Sequence, residues 1–441
     1  MKESVIMKNV TGCMSVIILI LQFAGCTSAD KGPQIVPVGK GWAKNSINAT
    51  IFRRNSVTTH RDSQYVSFYS EDGHVVLAKR RLGATHWQIK KTKHTGDTTD
   101  AHNSISIAVD GGGVLHVSWD HHCDPLRYCR GKAPGSLELG DRIPMTGRYE
   151  EKVTYPEFYN LPDGDLLFVY RDGHSGRGNL MMNRYDVQTR KWSAVGHNLI
   201  DGQQQRNAYW NGVAIDRQGC WHISWCWRES GDVATNHDMC YARSPDGGKT
   251  WYKSTGEKYQ LPITAENAEY ACRIPQKSEL INQTSMTVDS TGRPLIATFW
   301  RRQGTDVPQY QLIYHDGAKW DSRQVGRRKE AFRLSGGGTK YLPMSRPQVA
   351  AGDDGRVYVI FRDKERGNCV SAAVSEEAAL GRWRVLELTG ESLGEWEPSY
   401  DPVLWNRENV LHLFVQKVVQ RDRDRLEDEA PQMVSILQWK P

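Results

Sequence analysis

The sequence lacks the features that mark several common classes of protein. Its 441 residues carry a net charge of only +6, and the lysines and arginines form no long run, which gives no case for nucleic acid as a partner. An apolar run near the N-terminus, Met14 to Phe23, is too short to cross a bilayer as a helix. No long amphipathic helix interrupts the rest of the chain. These absences leave a globular chain of strands, which we expect to be monomeric.

The N-terminal segment has the pattern of an export signal. Its apolar run ends in a Gly-Cys pair at Cys26, which resembles a bacterial lipoprotein signal whose cysteine is lipidated after cleavage. Simple secretion stays open, because Phe23 is not the usual small or branched residue. We therefore expect a signal over residues 1–26, a linker over 27–40 and one folded domain over 41–441. The protein is then secreted, periplasmic or in the outer membrane, with a lipid at Cys26 as its one possible membrane attachment.

A strand–turn–strand unit recurs seven times along the chain. Alternating apolar residues mark the strands. Turn residues fall at 73, 112, 164, 219, 292, 355 and 409. Seven units spaced about one four-stranded blade apart predict an all-β fold, a seven-bladed β-propeller.

Three local expectations refine this propeller. The first hairpin is placed at Tyr65–Tyr69 and Val75–Leu77, and the seventh begins with a strand at Pro402–Leu404. Closure of the ring is expected between a strand near residues 49–52 and the C-terminal residues 433–437. The segment from Ser244 to Trp251 fits an Asp box, a hairpin turn tied by Asp and Ser/Thr side chains that carries no catalysis.

Equivalent positions of the innermost strands meet at one mouth of a propeller. Counting from each turn gathers His, Tyr and Arg there, with few carboxylates and no convincing pair of the kind that a glycosidase needs. The residues that precede the first strand are His60, His102, Tyr155, Tyr209, Asn282 or Gln283, Arg346 and Glu397; those that end the second strand are His121 or His122, Arg171, Trp227 or Arg228, Arg301 and Arg362. This set predicts anion binding and proton transfer. We expect substrate binding by His121, Arg228, Arg301, Arg346 and Arg362, against the simpler alternative of structural histidines and rim salt bridges.

A cysteine–histidine cluster forms a second candidate site. We predict a structural zinc ion held by His174, Cys226, His237 and Cys240, with Cys220 and His222 as substitutes. The alternative is a Cys220–Cys240 or Cys226–Cys240 disulfide with unrelated histidines, since an exported protein meets an oxidising compartment. Cys123 and Cys129 also lie close enough in sequence to bridge.

These motifs give the chain a clear resemblance. The landmarks are Ala101-His102-Asn103, Trp119-Asp120-His121-His122, Tyr155-Pro156, Tyr170-Arg171-Asp172-Gly173-His174 and Asn236-His237-Asp238-Met239-Cys240. From residue 41 to Trp439 the chain resembles the BNR-type seven-bladed propellers, which include polysaccharide lyases acting on ulvan and α-L-rhamnosidases acting on rhamnose linked to glucuronic acid.

The resemblance to the lyases implies residue roles and a zinc ion. It implies His102 and His122 in the catalytic site, together with Tyr155, Arg171 and, as a weaker match, Tyr209. It also implies zinc at His174 and the cysteine–histidine cluster. The chemistry agrees, because β-elimination from a uronate gathers negative charge that Arg171 and a histidine neutralise. Tyr155 or His102 then serves as base and Tyr155 as acid.

One departure bears on the rhamnosidases. In that branch the resemblance implies a lone catalytic histidine on the opposite mouth, where this chain has Phe52-Arg53-Arg54-Asn55; if the alignment slips, His60 is the nearest candidate. We therefore expect β-elimination of an anionic, uronate-containing polysaccharide or oligosaccharide. Removal of rhamnose from rhamnose–glucuronate ends, a sialidase and a non-catalytic glycan-binding propeller are the alternatives.

Overall fold

The protein is described by a computed structural model covering Met1 and residues 32–52, 54–196, 198–376 and 380–441. The segment Pro33–Pro441 forms one compact unit. Most of the predicted export signal, including Cys26, lies outside the described residues. No helix within the described ranges combines the length and apolarity needed to cross a membrane.

The chain builds its sheets in order, beginning with a strand that belongs to the last blade. The first five sheets and that leading strand comprise β1 (Gln34–Gly41); blade 1, β2 (Val57–His60), β3 (Ser63–Tyr69), β4 (His74–Arg81) and β5 (Gln88–Thr95); blade 2, β6 (Ile105–Val109), β7 (Leu115–Trp119) and β9 (Tyr128–Arg130); blade 3, β8 (His122–Asp124), β10 (Val153–Asn160), β11 (Leu166–His174), β12 (Arg177–Asp186) and β13 (Lys191–Ala194); blade 4, β14 (Asn207–Ile215), β15 (Trp221–Arg228), β16 (Asn236–Ser244) and β17 (Glu269–Cys272); and blade 5, β18 (Ser285–Val288), β19 (Pro294–Trp300), β20 (Gln309–His315) and β21 (Trp320–Val325).

The last two blades complete the ring. They comprise blade 6, β22 (Gln348–Ala351), β23 (Val357–Arg362), β24 (Val370–Ser375) and β25 (Trp383–Glu387), and blade 7, β26 (Ser399–Tyr400), α1 (Pro402–Glu408), β27 (Leu411–Val415) and β28 (Gln432–Trp439). Three single 3-10 turns lie at Val233–Thr235, Lys364–Arg366 and Asp422–Asp424. Seven antiparallel sheets confirm the all-β, seven-bladed β-propeller.

The ring closes through its N-terminal strand. β1 pairs antiparallel with β28, with Ile35 opposite Leu437, and so forms the outer strand of blade 7. The prediction of a linker over 27–40 is therefore wrong from residue 34 onward, and the closing strand is not residues 49–52. That segment serves the mouth instead, where the backbone amide of Ile51 donates to the carboxylate of Glu397 at 2.9 Å.

Two blades depart from the predicted hairpins. In blade 1 the innermost hairpin is β2–β3, with its turn after His60; the pair predicted as the first hairpin forms the second and third strands instead. In blade 7 Pro402–Leu404 is helical, because Asp401 caps α1 by accepting from the amide of Leu404 at 3.1 Å and Pro402 occupies the first turn.

The predicted Asp box is present. Asp246 accepts from Ser244 Oγ at 2.9 Å and from Thr250 Oγ1 at 2.6 Å. Aromatic residues pack the strands and the spaces between blades, which accounts for most of the tryptophans. The most deeply buried are Trp119, Trp210, Trp225, Trp227, Trp251 and Trp396.

Adjacent blades touch closely at the turn between β6 and β7. The amide of Gly111 donates to the carbonyl of Gly164 at 2.8 Å, and a Cβ added at Gly111 meets the Cα of Gly164 at 2.7 Å. Blades 2 and 3 therefore depend on a glycine here.

We expect Gly111→Ala to lower the free energy of unfolding by about 1–3 kcal/mol, because the backbone of blade 3 has to shift. Chemical denaturation measures the change. Gly390→Ala is the matched control, since no atom lies within 4 Å of its added Cβ. Equal stability of the two variants contradicts the close packing of blades 2 and 3.

Candidate active site

The chain segments that enter blades 2 and 3 bring two histidines together. His102 precedes β6, and His122 begins β8, a short strand that pairs with the innermost strand of blade 3. The two imidazole rings stack with centroids 4.1 Å apart. Phe52 stacks on the other side of His102 at 5.2 Å, so the ring of His102 is fixed from both faces.

One carboxylate links the two imidazoles. Asp100 Oδ1 lies 2.6 Å from His102 Nδ1, and Asp100 Oδ2 lies 2.6 Å from His122 Nδ1. Burial favours a raised pKa for Asp100, yet the hydrogen bonds from both histidines outweigh it and hold the pKa well below its usual range. Asp100 is thus a carboxylate at neutral pH, and each Nδ1 carries the proton that it accepts. In the neutral form of His102 this leaves a lone pair free on Nε2.

The environment keeps His102 neutral. Burial makes the largest contribution to lowering the pKa of His102, and the neighbouring His122 lowers it further. The hydrogen bond to Asp100 acts in the opposite direction and raises it. His122 is the more open of the two, with 34% of its side chain exposed. The pair therefore offers one enclosed neutral base and one imidazole at the entrance.

A bulge in β10 turns Tyr155 toward the mouth. The register with β11 shifts between Thr154 and Glu157, and Tyr155 adopts the left-handed conformation with φ 57°. Pro156 fits such a bulge because it has no amide to pair. Burial raises the pKa of Tyr155, and the neighbouring Tyr209 adds to the shift, while nearby arginines oppose it. Its phenol therefore stays protonated at neutral pH.

Arg171 lies under the tyrosines as a buried cation. Its side chain donates to Thr154 Oγ1 at 3.0 Å, and its guanidinium carbon lies 5.0 Å from the ring centre of Tyr155. Tyr209 Oη lies 3.5 Å from Nη1. None of the described carboxylates comes within salt-bridge distance. Space for the side chain is provided by Gly178, where a Cβ meets Arg171 Cδ at 2.6 Å.

Two further arginines reach the mouth in different electrostatic states. Arg228 lies over the ring of Tyr209 at 5.4 Å, and its Nε donates to the carbonyl of Ser230 at 3.0 Å; it too has no ion pair within the described chain. Arg346, in contrast, is neutralised by Glu397, with Nε 2.9 Å from Oε1. Arg171 and Arg228 are therefore the two arginines at the mouth that no described carboxylate neutralises.

Two loops cover the mouth, and we call them the roof: residues 336–340 and 422–424. Thr339 Oγ1 lies 3.3 Å from His102 Nδ1. The carbonyl of Thr339 accepts from the amide of Arg423 at 2.9 Å, and the Gly336 amide donates to Asp232 at 2.6 Å. The cavity beneath, between His102, Tyr155 and the arginines, measures about 30 Å³, enough for one or two water molecules.

Residues 63–328 match the model of the BNR repeat-containing family. This chain belongs to that family. The predicted resemblance to BNR-type propellers is thereby confirmed.

Relatives of this BNR repeat-containing chain include named ulvan lyases. It is 25% identical over 285 residues to the long isoform of ulvan lyase from Alteromonas sp, a match that covers 50% of this chain and 28% of the relative. With the short isoform from Alteromonas sp. (strain LOR) it shares 26% identity over 39% of this chain and 43% of the relative. The chain thus matches less than half the length of these relatives.

Solved structures show the same fold. The polysaccharide lyase Uly1 superimposes with a TM-score of 0.64 at 16% identity, covering 88% of this chain and 89% of that one. The PL25 ulvan lyase bound to -[GlcA(1-4)Rha3S]- superimposes with a TM-score of 0.67 at 13% identity, covering 92% and 96%. At these identities the likeness concerns the propeller alone.

Within this BNR repeat-containing chain, most of the predicted mouth comes together and some does not. His102, His122, Tyr155, Arg171, Tyr209, Arg228 and Arg346 converge. His121 is buried and accepts from the amide of Arg127 at 2.7 Å, so it has a structural position. Arg301 pairs with Glu279 at 2.7 Å, and Arg362 donates to the carbonyl of Leu342 at 2.8 Å.

His60 also lies away from the mouth. It ends β2, and its imidazole approaches Gly113 in the turn between β6 and β7, at the other end of the inner strands. The prediction that His60 precedes an innermost strand is wrong, because His60 ends the innermost strand itself and the predicted first hairpin forms the second and third strands. Arg53, which stands where the rhamnosidase histidine is implied, lies outside the described residues.

The predicted zinc ligands do not form one cluster. His174 is exposed at the end of β11, and His237 uses both nitrogens, with Nε2 2.7 Å from Glu229 and Nδ1 3.1 Å from Asp238. Cys226 and Cys240 are buried. The seven cysteines that the structure describes are all free, so none of the predicted disulfides is present. These four side chains therefore do not converge on one centre, as a tetrahedral zinc ion requires.

The substitutes Cys220 and His222 have another explanation. His222 lies 3.2 Å from Asp216 and 2.7 Å from the hydroxyl of Tyr241. The sulfur of Cys220 is near enough to share a metal with Asp216 and His222. Blade 2 has the same arrangement without a cysteine: His116, Asp110 and Tyr128. The repeated Asp–His–Tyr chain braces the third strand of a blade against its inner turn.

Sequence reasoning missed Asp100, Phe52 and Thr339. Asp100 lies two residues before His102, and that spacing was the one available signal. Phe52 and Thr339 lie in irregular loops, so no repeat position marks them.

We expect Asp100→Asn to lower the pKa of His102 further, because the carboxylate that favours its protonated form is removed. Asparagine has one acceptor oxygen in place of two, so at most one imidazole keeps an acceptor for its Nδ1 proton. Titration of histidine-labelled protein by NMR measures both effects. His116, which pairs with Asp110, is an internal control and should not change. A His102 titration identical to wild type contradicts the proposed linkage.

Proposed function

We propose that this protein is a polysaccharide lyase that cleaves a uronate-containing polysaccharide by β-elimination at this mouth. One observation supports the proposal most strongly: the buried cations Arg171 and Arg228 lack a described acidic partner and lie beside a neutral imidazole and a protonated phenol. A buried charge without a counter-ion is costly. Such a site is best explained by an anionic substrate that supplies the missing charge.

The carboxylate of a uronate meets this requirement. Arg171, with guanidinium donors in a rigid fork, matches a carboxylate in geometry and in charge. Removal of the C5 proton makes that carboxylate part of an enolate-like intermediate, so negative charge grows where the cation already stands. Preorganised charge of this kind stabilises the transition state more than the ground state.

His102 and Tyr155 divide the proton transfers. His102 is neutral and presents Nε2, so it accepts the C5 proton; the C–H electrons form the C4=C5 double bond as the C4–O bond breaks. Tyr155 keeps its proton and donates it to the leaving oxygen. The two rings lie 5.9 Å apart between centroids, which places both groups within reach of one sugar ring. The step is redox neutral, and solvent returns the proton from His102 to Tyr155.

The roof has to shift for the substrate to enter. A cavity of about 30 Å³ excludes a sugar ring, whereas ligand pockets usually measure about 300 Å³ or more. Loop movement of this kind also excludes water from the reaction once substrate is bound.

An ulvan-like polymer of rhamnose and glucuronate is the substrate that we propose. The relatives named ulvan lyase, and the ulvan lyase structure bound to a glucuronate–rhamnose sulfate, support this choice. We also propose that the protein is exported through its N-terminal segment, because such polymers are met outside the cell.

Incubation of the protein with ulvan tests the reaction. We expect a rise in ultraviolet absorbance from the conjugated C4=C5 double bond, which hydrolysis does not create. Release of free rhamnose without this absorbance supports the rhamnosidase alternative instead.

We expect Tyr155→Phe to lower kcat by about 10²–10⁴-fold, because it removes only the donated proton. Substrate binding should stay close to wild type. Tyr310→Phe, at another buried tyrosine whose hydroxyl donates to the carbonyls of Ser345 and Arg362, controls for general effects. Near-normal turnover of Tyr155→Phe contradicts its role as the acid.

We expect Arg171→Ala to lower kcat/KM by about 10²–10³-fold, since it removes charge from both the bound uronate and the transition state. Arg301→Ala is the matched control because its guanidinium is already paired with Glu279. Initial rates on ulvan measure both variants. If the two lose activity equally, Arg171 is not the anion-binding cation.

A further inference from the structure

A second cavity lies on the outer part of blade 3. It measures about 320 Å³, about ten times the volume of the cavity in the mouth and within the usual range for ligand sites. Residues 145–149 form one wall, and the outer strands β12 and β13 form the other. The cavity is separate from every group that the proposed reaction uses.

The lining combines aromatic rings, hydroxyl groups and a cation. Tyr149 is 52% exposed, and the half-buried Trp192 is held in place because its indole nitrogen donates to the hydroxyl of Tyr128 at 3.1 Å. Ser193 and Thr146 add hydroxyl groups, and Arg148 stands at the rim. Aromatic faces with polar groups beside them suit the mixed apolar and hydroxylated surface of a sugar.

The loop that carries Tyr149 is preformed. Glu150 is buried, and its carboxylate accepts from the amides of Thr146 at 2.6 Å and Gly147 at 3.0 Å. Tyr149 is held in the left-handed conformation with φ 59°, which is unfavourable for a residue with a Cβ. The fold therefore holds the loop rigidly in a strained shape, and a ligand does not bear the entropy of ordering it.

We propose that this cavity is a non-catalytic binding site for the anionic polysaccharide. Charge favours that occupant, because Arg148 has no carboxylate within salt-bridge distance in the described chain and a uronate or sulfate group supplies an anion. The inference rests on the proposed function for the identity of the polymer. Blade 3 also provides Tyr155 and Arg171 to the mouth, so a polymer held here stays near the site at a high effective concentration.

Affinity electrophoresis in gels containing ulvan tests the site. The experiment uses Tyr155→Phe protein, so that the polymer is not degraded during the run. We expect Tyr149→Ala combined with Arg148→Ala to weaken retention about 5- to 30-fold. The control pair, Tyr252→Ala with Arg366→Ala, replaces the same residue types on other blades and should be retained like its parent.

Kinetics on two substrate sizes complete the test. In the active protein, the Tyr149/Arg148 pair of substitutions should raise KM for long ulvan while leaving kcat/KM on a short oligosaccharide unchanged. Equal retention of all variants, with normal activity, overturns the binding site and leaves the proposed function standing. Absence of both retention and unsaturated product from wild type overturns the proposed function and this site together.

Discussion

The carboxylate of Asp100 is the interaction on which the mouth depends. It accepts one hydrogen bond from each of two stacked imidazoles at 2.6 Å, and so fixes their tautomers and their directions at once. The fold prepares this contact by adding β8 to blade 3, which sets His122 beside His102. Without the charge on Asp100, neither Nδ1 proton would be held in place. The nitrogen of His102 that faces a substrate could then be either a donor or an acceptor.

The arginines around the channel differ in whether a carboxylate neutralises them, and this difference supports an anionic ligand. Arg346 is neutralised by Glu397 and Arg54 by Glu157, both within the buried interior. Arg171 and Arg228 lie at similar depth but face tyrosine rings and backbone carbonyls instead. Aromatic faces and carbonyl oxygens stabilise a cation only partly. An anionic ligand therefore stabilises these two buried charges further.

The repeat was readable from the sequence because alternation and turn residues are local properties. Strand order within a blade is not local. Because β2 is short and polar, the alternation favours the hairpin after it as the innermost one, and counting from that hairpin places His60 at the mouth that holds Tyr155. In blade 7 the repeat predicts a strand at residues 402–404, but the cap formed by Asp401 and the fixed φ of Pro402 start a helix there. Arg171 and Arg301 follow the same pattern of an aromatic strand end, and only the position of Glu279 separates them.

The four predicted zinc positions do not meet in one cluster of the described residues, whereas most of the predicted mouth residues converge. Strand alternation and neighbouring strands place these four positions near one another in the sequence pattern. A metal, however, needs donor atoms that point to one centre, and His237 already donates or accepts at both nitrogens. The mouth depends less on the direction of each side chain, because the segments that enter the innermost strands meet around the channel. Propeller geometry therefore makes a convergent site predictable from the repeat, whereas a coordination site requires side-chain directions that only the folded chain provides.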